Sequence, residues 1–269
     1  MISQRAISDK EFSQFQRMIY DIAGIKLSDA KKPLVTGRLA KRLSVRGASS
    51  YGEYFSLLAS GQDPGEVQIA VDLLTTNETY FFREPKHFDF LRTKILPSHS
   101  KTAGFRVWSA ASSSGQEAYS ISMLLGDKLG DSPWEIIGTD ISTRVLERAR
   151  AGHYALEQAQ HIPKEYLSRF CLKGVGMQEG TFLVERGLRA RTKFMHANLN
   201  RTLPHIGEFN LIFLRNVMIY FDTETKRDVV RRVVGSLKSG GHLFIGHSES
   251  LNGVDETLKL IAPSIYRKP

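Results

Sequence analysis

A chain of 269 residues is long enough to bury the core of one sizeable α/β domain together with a smaller one. Its 37 basic residues against 28 acidic ones leave a formal charge of +9, which favours an acidic partner: nucleic acid, an anionic membrane surface or an acidic protein. The lone cysteine, Cys171, excludes an intrachain disulfide and a cysteine metal cluster, no apolar run reaches the length of a membrane span, and Met1–Asp9 lacks the basic-then-apolar order of a signal peptide, so a cytoplasmic protein is expected.

Residues 1 to about 75 carry helical signals and no good strand signal. Ser8 and Glu11 have capping-box spacing, Phe12, Phe15, Ile19 and Ile22 follow at helical intervals, and Gly24 suits a stop. A second helix is expected over Asp29–Val45, where Val35, Leu39 and Leu43 repeat and Gly47 follows. Beside that apolar stripe Lys31, Arg38, Lys41 and Arg42 share a neighbouring arc, and Asp29 is the only acid between Lys26 and Arg46. Such an arc reads either as a solvated face or as a docking face for an acidic surface. Tyr51–Ala59 and Glu66–Leu74 complete a small helical bundle.

The stretch Leu74–Pro85 is too polar at Thr75–Thr79 for a core helix and too aromatic at Tyr80–Phe82 for a free linker. Asn77 and Thr79 can hydrogen-bond the polar rim of a ligand, and Arg83 offers a forked donor for a carboxylate. In the alternative, the aromatics only bind two domains together and the polar residues only cap.

From Pro85 the chain alternates. A lead-in helix over Lys86–Leu96 precedes a strand at Phe105–Ser109 and a helix over Glu117–Leu129. A second strand, Trp134–Asp140, precedes a helix over Ser142–Ala151 with Ser142 as its N-cap. Residues 172–194 change character, with short strands at Thr181–Glu185 and Arg191–His196 around several glycines, and read as a small antiparallel β insertion. Phe209–Leu214 is the most apolar strand and therefore central. A helix over Thr223–Leu237, a strand at His242–Gly246 and an edge strand near Ile261–Lys268 close the chain. The alternation implies α/β architecture, a doubly wound parallel sheet of Rossmann-like type, preceded by an all-α N-terminal domain.

The candidate site lies where the first strand ends in the small residues Ala110–Gly115 and turns into a helix. Asp140, ending the second strand, lies 25 residues beyond Gly115, close to the roughly 20-residue offset of a ribose-binding acid. The turn lacks Gly-x-Gly-x-x-Gly, and Glu117 just inside the helix would repel a pyrophosphate while suiting a cation. The sulfonium and ammonium of S-adenosylmethionine are such charges, so a methyl donor is favoured over a dinucleotide. A phosphate loop is absent and the histidines have no metal-ligand spacing, so no metal is expected.

Thr75–Glu84, Val107–Ser120, Gly138–Ser142, Ala197–Leu199, Leu214–Phe221 and Gly246–Ser250 together resemble, in order over nearly the whole chain, the chemotaxis receptor methyltransferases of the CheR family. Where that family's first turn usually reads Ala-Cys-Ser-Thr-Gly-Glu-Glu-Pro-Tyr-Ser, this chain has Ser112, Gln116 and Ala118 at the cysteine, first glutamate and proline, and keeps Glu117. The resemblance implies transfer of a methyl group from S-adenosyl-L-methionine to glutamate side chains of chemoreceptors, giving glutamate 5-O-methyl esters and S-adenosyl-L-homocysteine.

Carried over by motif, it implies that Asn77, Thr79, Arg83, Glu117, Asp140, Asn198, Leu199, Arg215 and Asn216 line the cofactor. Arg83 and Tyr220 become candidates for holding the substrate carboxylate. It further implies a receptor-docking domain at 1–75 using Arg38, Lys41 and Arg42, a linker at 76–87 contributing to the cofactor site, and a methyltransferase domain at 88–269 with its β insertion at about 172–194. In some members the insertion binds a pentapeptide at the receptor C-terminus. A cytoplasmic monomer without nucleic-acid partner or membrane insertion is expected. Two rivals remain: a methyltransferase acting on another acidic substrate or on nucleic acid, the latter predicting Asn/Asp-Pro-Pro-aromatic where this chain has Leu214-Arg-Asn-Val, and a catalytically silent receptor-binding adaptor with the same fold.

Overall fold

The computed structural model describes residues 6–100 and 102–269, so the reading of the first five residues as no signal peptide lies outside it. The chain divides into two compact units: one runs through Thr76 and takes in Tyr220–Thr225, and the other comprises Asn77–Ile219 and Lys226–Pro269.

The first unit is built from α1 (Asp9–Ala23), α2 (Lys32–Val45, entered through a 3-10 turn at Asp29–Lys31), α3 (Tyr51–Ala59) and α4 (Pro64–Leu74). The capping box at α1 forms: Ser8 Oγ accepts from Glu11 N–H at 3.2 Å, and Glu11 Oε2 accepts from Ser8 N–H at 2.8 Å. Gly24 takes the left-handed conformation, at φ 71°, that ends α1. The apolar stripe Phe12, Phe15, Ile19 and Ala23 is buried, and Phe15 lies within 5.6–6.5 Å, centroid to centroid, of Tyr51, Tyr54 and Phe55. Truncating a ring so enclosed costs about 3–5 kcal/mol. The downstream segment joins this unit by backbone pairing of Ile25 with Phe221, by Lys26 N–H donating to Tyr220 O at 2.9 Å, and by Tyr20 Oη donating to Asp222 at 2.7 Å.

Two of the three basic residues expected on a docking face serve this unit internally. Arg42 Nε donates to Glu66 Oε1 at 2.9 Å and its Nη2 meets the other oxygen of the same buried carboxylate, which also accepts from Tyr54 Oη at 2.6 Å. Arg38 donates to the carbonyls of Leu74 (3.3 Å) and Thr75 (2.9 Å), groups that the end of α4 leaves without intrahelical partners. Lys41 is exposed and has no ion-pair partner among the described residues.

The second unit holds a seven-stranded sheet of β1 (Phe105–Ser109), β2 (Trp134–Asp140), β6 (Thr192–His196), β7 (Phe209–Leu214), β8 (Leu237–Ile245), β9 (Lys259–Ala262) and β10 (Ile265–Arg267). Its order is β6-β2-β1-β7-β8-β10-β9; the first five are parallel, and the terminal hairpin β9–β10 adds antiparallel to β8. The helices include α5 (Pro85–Phe90, continued by a π turn over Leu91–Ile95), α6 (Gln116–Leu129) and α7 (Thr143–Ala151), with α10 (Thr223–Gly235) beginning in the 220–225 segment. Val107, Trp108, Leu211, Phe213 and Phe244 are fully buried, as near-continuous apolar parallel strands require.

A separate antiparallel sheet of order β3-β5-β4 is made by β3 (His153–Ala155), β4 (Cys171–Lys173) and β5 (Thr181–Val184), with the short helices α8 (Lys164–Phe170) and α9 (Arg186–Ala190) beside it in sequence. This corrects the expected insertion over 172–194 at both ends. Residues 153–155 supply a strand to it, and residues 192–196 leave it, pairing parallel with β2 from Ile136↔Thr192 to Asp140↔His196. The expected helix over Thr223–Leu237 also ends earlier, at Gly235: Leu237 fits the helical stripe but opens β8 opposite Phe209. The Cys171 thiol is pushed by burial up to about 12.

Candidate active site

The chain enters the sheet at β1 and then builds to opposite sides, β2 on one and β7 on the other. That is a topological switch point, and the crevice beyond the carboxyl ends of these strands is where open α/β sheets bind ligands. The Ala110–Gly115 loop leaves β1 there. Gly115 stands at φ 95°, and a Cβ on it would lie 2.9 Å from Tyr154 Oη and 3.0 Å from Ala149 Cβ, so glycine is required both by the turn and by the packing behind it.

Asp140 ends β2 and is buried. Its Oδ2 accepts from Ser113 N–H and its Oδ1 from Ser142 N–H, both at 2.9 Å. Ala197 N–H donates to Asp140 O at 3.0 Å, which anchors the Ala197–Leu199 segment beside that strand end. In that segment Asn198 Oδ1 accepts from Asn200 N–H at 2.9 Å and the Leu199 carbonyl from Arg232 Nε at 3.1 Å. Asn77 joins the same corner, its carbonyl accepting from Ser113 Oγ at 2.9 Å.

A second corner is charged. Glu117, in the first turn of α6, accepts from Ser109 Oγ at 2.7 Å through Oε1, while its Oε2 lies 3.6 Å from Arg215 Nε. Burial pushes the Glu117 carboxyl above the ordinary range, and the opposing pull of Arg215 and Ser109 does not cancel it. The Arg215 side chain, only 1% exposed, also faces Glu84 Oε2 at 3.3 Å, lies 5.6 Å over the Phe213 ring and donates through Nη2 to the Arg83 carbonyl. Its Nε and Nη1 have no hydrogen-bond acceptor among the described residues. Glu84 moves the other way from Glu117. Burial raises its carboxyl, but Arg215, the His247 N–H and Asn216 together hold it below the ordinary value.

The structure thus brings Asn77, Asp140, Asn198 and Leu199 to one corner and Glu117, Arg215 and Asn216 to the other, with Asn216 Nδ2 donating to Glu84 at 3.2 Å. Arg83 is half-buried, lies 5.7 Å over the Tyr80 ring and donates to Glu78 O at 3.2 Å. Thr79 is half-buried on the same segment, whose Phe81 packs 5.1 Å from Tyr154 and whose Phe82 N–H donates to Ser120 Oγ at 2.9 Å. Tyr220 belongs to the first unit's downstream segment. The three departures from the family's usual turn, Ser112, Gln116 and Ala118, are all buried.

Three residues that sequence reasoning did not single out stand here as well: Ser113, Glu84 and Glu249. Each lies inside a stretch that carried the resemblance. No periodicity marks them, because their roles are set by hydrogen bonds between segments far apart in sequence. Glu84, His87 and His247 also gather ligand-type atoms within 4.8 Å of one another, but the Arg215 guanidinium already supplies the positive charge against Glu84. His87 is fully buried, and desolvation followed by Arg215 pushes its imidazole down to about 3.

These residues fit S-adenosylmethionine. Asp140 can accept from a ribose diol, the buried N–H groups of Arg215 that lack acceptors match a carboxylate, and Glu117 offers an anion to a sulfonium or ammonium. A family model described as the CheR methyltransferase SAM binding domain matches residues 77–266, and one described as the CheR methyltransferase all-alpha domain matches residues 10–75. The chain is 41% identical over 273 residues to the chemotaxis protein methyltransferase of Escherichia coli K12, covering 99% of this chain and 93% of that one. It is 40% identical to the chemotaxis protein methyltransferase of Salmonella typhimurium over 99% of this chain and 92% of that one. With that of Borreliella burgdorferi the identity is 37%, over 97% of this chain and 95% of the relative. S-adenosylmethionine is the cofactor.

Proposed function

The chain belongs to the CheR methyltransferase family, and from that premise we propose that it methylates specific glutamate side chains of chemoreceptors, forming glutamate 5-O-methyl esters. The observation that carries this reading is the pairing of Glu117 with Arg215 in one corner of the strand ends and the buried Asp140 in the other, a donor and acceptor set suited to a zwitterionic, cationic nucleoside.

When bound, S-adenosylmethionine supplies a methyl group activated by its sulfonium. Asp140 holds the ribose, Glu117 and Arg215 hold the amino-acid end, and Asn77, Thr79, Asn198, Leu199 and Asn216 line the remainder. A substrate glutamate, with a reference pKa of about 4.3, is already an anion at neutral pH and needs no general base. The residues must instead orient one carboxylate oxygen and exclude water. Arg83 supplies the charged fork for that carboxylate. Tyr220, a short way along the chain from Arg215 and Asn216, supplies a phenolic donor.

Residues 1–75 form the receptor-docking domain, 76–87 the linker that contributes to the cofactor site, and 88–269 the catalytic domain. With Arg38 and Arg42 committed to internal partners, Lys41 is the member of the expected trio whose charge is available to an acidic receptor surface. The small sheet has β3 and β4 at its edges, and Leu172, Val175 and Met177 are exposed along and after β4, which supports a receptor C-terminal pentapeptide adding there as a strand. No described helix is long and apolar enough to cross a membrane. The reading is of a cytoplasmic monomer with a protein, not a nucleic-acid, substrate.

Calorimetric titration with S-adenosylmethionine and S-adenosylhomocysteine, for wild type and Asp140→Ala, tests it first. Micromolar binding that Asp140→Ala weakens by about 100-fold is expected from the loss of charge-assisted hydrogen bonds. It would be followed by base-labile methyl incorporation into a receptor cytoplasmic domain. Absence of binding by folded wild type would leave the adaptor reading, and base-stable incorporation would exclude an ester.

A further inference from the structure

The Arg215–Ile219 loop carries two of the residues proposed to hold the cofactor, and it is pinned by two carboxylates from other segments. Glu249 Oε2 accepts from Asn216 N–H at 3.0 Å and from Gly246 N–H at 2.7 Å, and its Oε1 accepts from Ile219 N–H at 3.2 Å. Glu84 Oε1 accepts from the Asn216 side-chain amide and from His247 N–H, both at 3.2 Å, while its Oε2 faces Arg215 Nη2 at 3.3 Å. Asn216 therefore has its main chain held by one anion and its side chain by the other.

What these anions hold is conformationally costly. Asn216 stands at φ 55° and Glu84 itself at 59°, both in the left-handed region, which Asn tolerates better than most residues with a Cβ and Glu does not. Such strain persists only where surrounding contacts over-determine it. The packing is also tight: a Cβ on Gly246 would lie 2.6 Å from Asn216 Nδ2 and 2.8 Å from Glu249 Oε2.

We infer that Glu249 and Glu84 are positioning residues that together latch the Arg215–Ile219 loop in the geometry that binds cofactor. The inference rests on the cofactor reading of Arg215 and Asn216 given above. Without the latch the loop populates the binding-competent geometry only part of the time, and apparent affinity falls by that fraction. Saturating cofactor restores it, so KM changes more than kcat.

The test uses the full chain with Glu249→Ala, Glu249→Gln and Glu84→Gln. Far-UV dichroism and a thermal midpoint are followed by S-adenosylmethionine titration and by kcat and KM. Glu249→Ala is expected to weaken cofactor binding on the order of 10- to 100-fold, raising KM in step while kcat at saturation stays within about threefold. Glu249→Gln, which keeps one acceptor oxygen, should recover part of the loss, and Glu84→Gln should weaken binding measurably. A lower melting midpoint with wild-type affinity and KM would overturn the inference. Should Glu249→Ala not fold, wild-type affinity in both glutamine variants would overturn it equally. If wild type itself fails to bind, the cofactor reading falls and the latch with it; if wild type binds and the variants match it, the latch alone falls.

Discussion

Replacing Arg42 by alanine separates a docking charge from a structural one. Glu66 is buried to 1% exposure and Arg42 to 21%, so the substitution leaves a carboxylate in the helical unit with, among the described residues, Tyr54 Oη at 2.6 Å and Arg46 Nη1 at 3.8 Å as its remaining side-chain partners. Breaking a buried pair from one side costs about 3–5 kcal/mol, and the remaining partners place this case near the lower end. In a chain of this size about 3 kcal/mol corresponds to a drop of roughly 6–12 °C in melting midpoint. The pH dependence gives a second handle. Burial raises the Glu66 carboxyl, but Arg42 and Tyr54 outweigh it, so its folded pKa lies below the ordinary 4.5. A depressed carboxyl pKa stabilises above the unfolded value and loses that contribution as pH falls through the folded value. The gap between wild type and Arg42→Ala should therefore be full at neutral pH and narrow below about pH 4. Melts followed by dichroism across that range would check it. A midpoint within about 1 °C of wild type at neutral pH would refute the burial argument.

Lys41→Glu should leave the melting midpoint and cofactor affinity unchanged while lowering methyl transfer to a receptor domain several-fold at low ionic strength, an effect that added salt should erase; equal transfer by both proteins would remove Lys41 from docking. The raised Glu117 carboxyl takes up its proton at higher pH than an ordinary glutamate, and a cationic ligand prefers it ionised. S-adenosylmethionine affinity should accordingly fall as pH is lowered through that range, and Glu117→Gln should bind more weakly with a flat profile; parallel profiles in calorimetry would count against a charge role. Gly115→Ala meets both a left-handed φ and a crowded wall, together worth about 2–4 kcal/mol, and should lower both melting midpoint and cofactor affinity.

Most strand ends at the site were legible in sequence because each strand carries an apolar run and stops on a small or charged residue, as Ser109, Asp140 and Leu214–Arg215 do. The partner of a strand was less so. Thr192–His196 alternates as any half-exposed edge strand does, and nothing in alternation says whether its ladder is β2 or the small sheet. The same limit applies to Arg42. Helical spacing placed it beside the apolar stripe, but only the packing of α4 shows that this arc meets a buried glutamate rather than solvent. Glu84 and Glu249 were hidden for a related reason: a carboxylate that accepts main-chain N–H groups has no compositional signature, and its partners are neither its neighbours nor at a periodic offset.

The two family models meet near residue 76, which invites treating the helices as a cassette to be exchanged for a relative's. The Tyr220–Thr225 segment forbids a clean exchange. Phe221 bridges Ile25, Asp222 receives the Tyr20 hydroxyl, and the same Asp222 caps α10 by accepting from Thr225 N–H at 2.9 Å. A chimera joined at residue 76 would place a foreign α1 against this chain's own 220–225 segment, and that cap's acid would keep its phenol only where the incoming helix also carries a tyrosine there. Exchange of the helical unit must carry both pieces, so residues 20–26 and 220–225 should be transplanted as one unit.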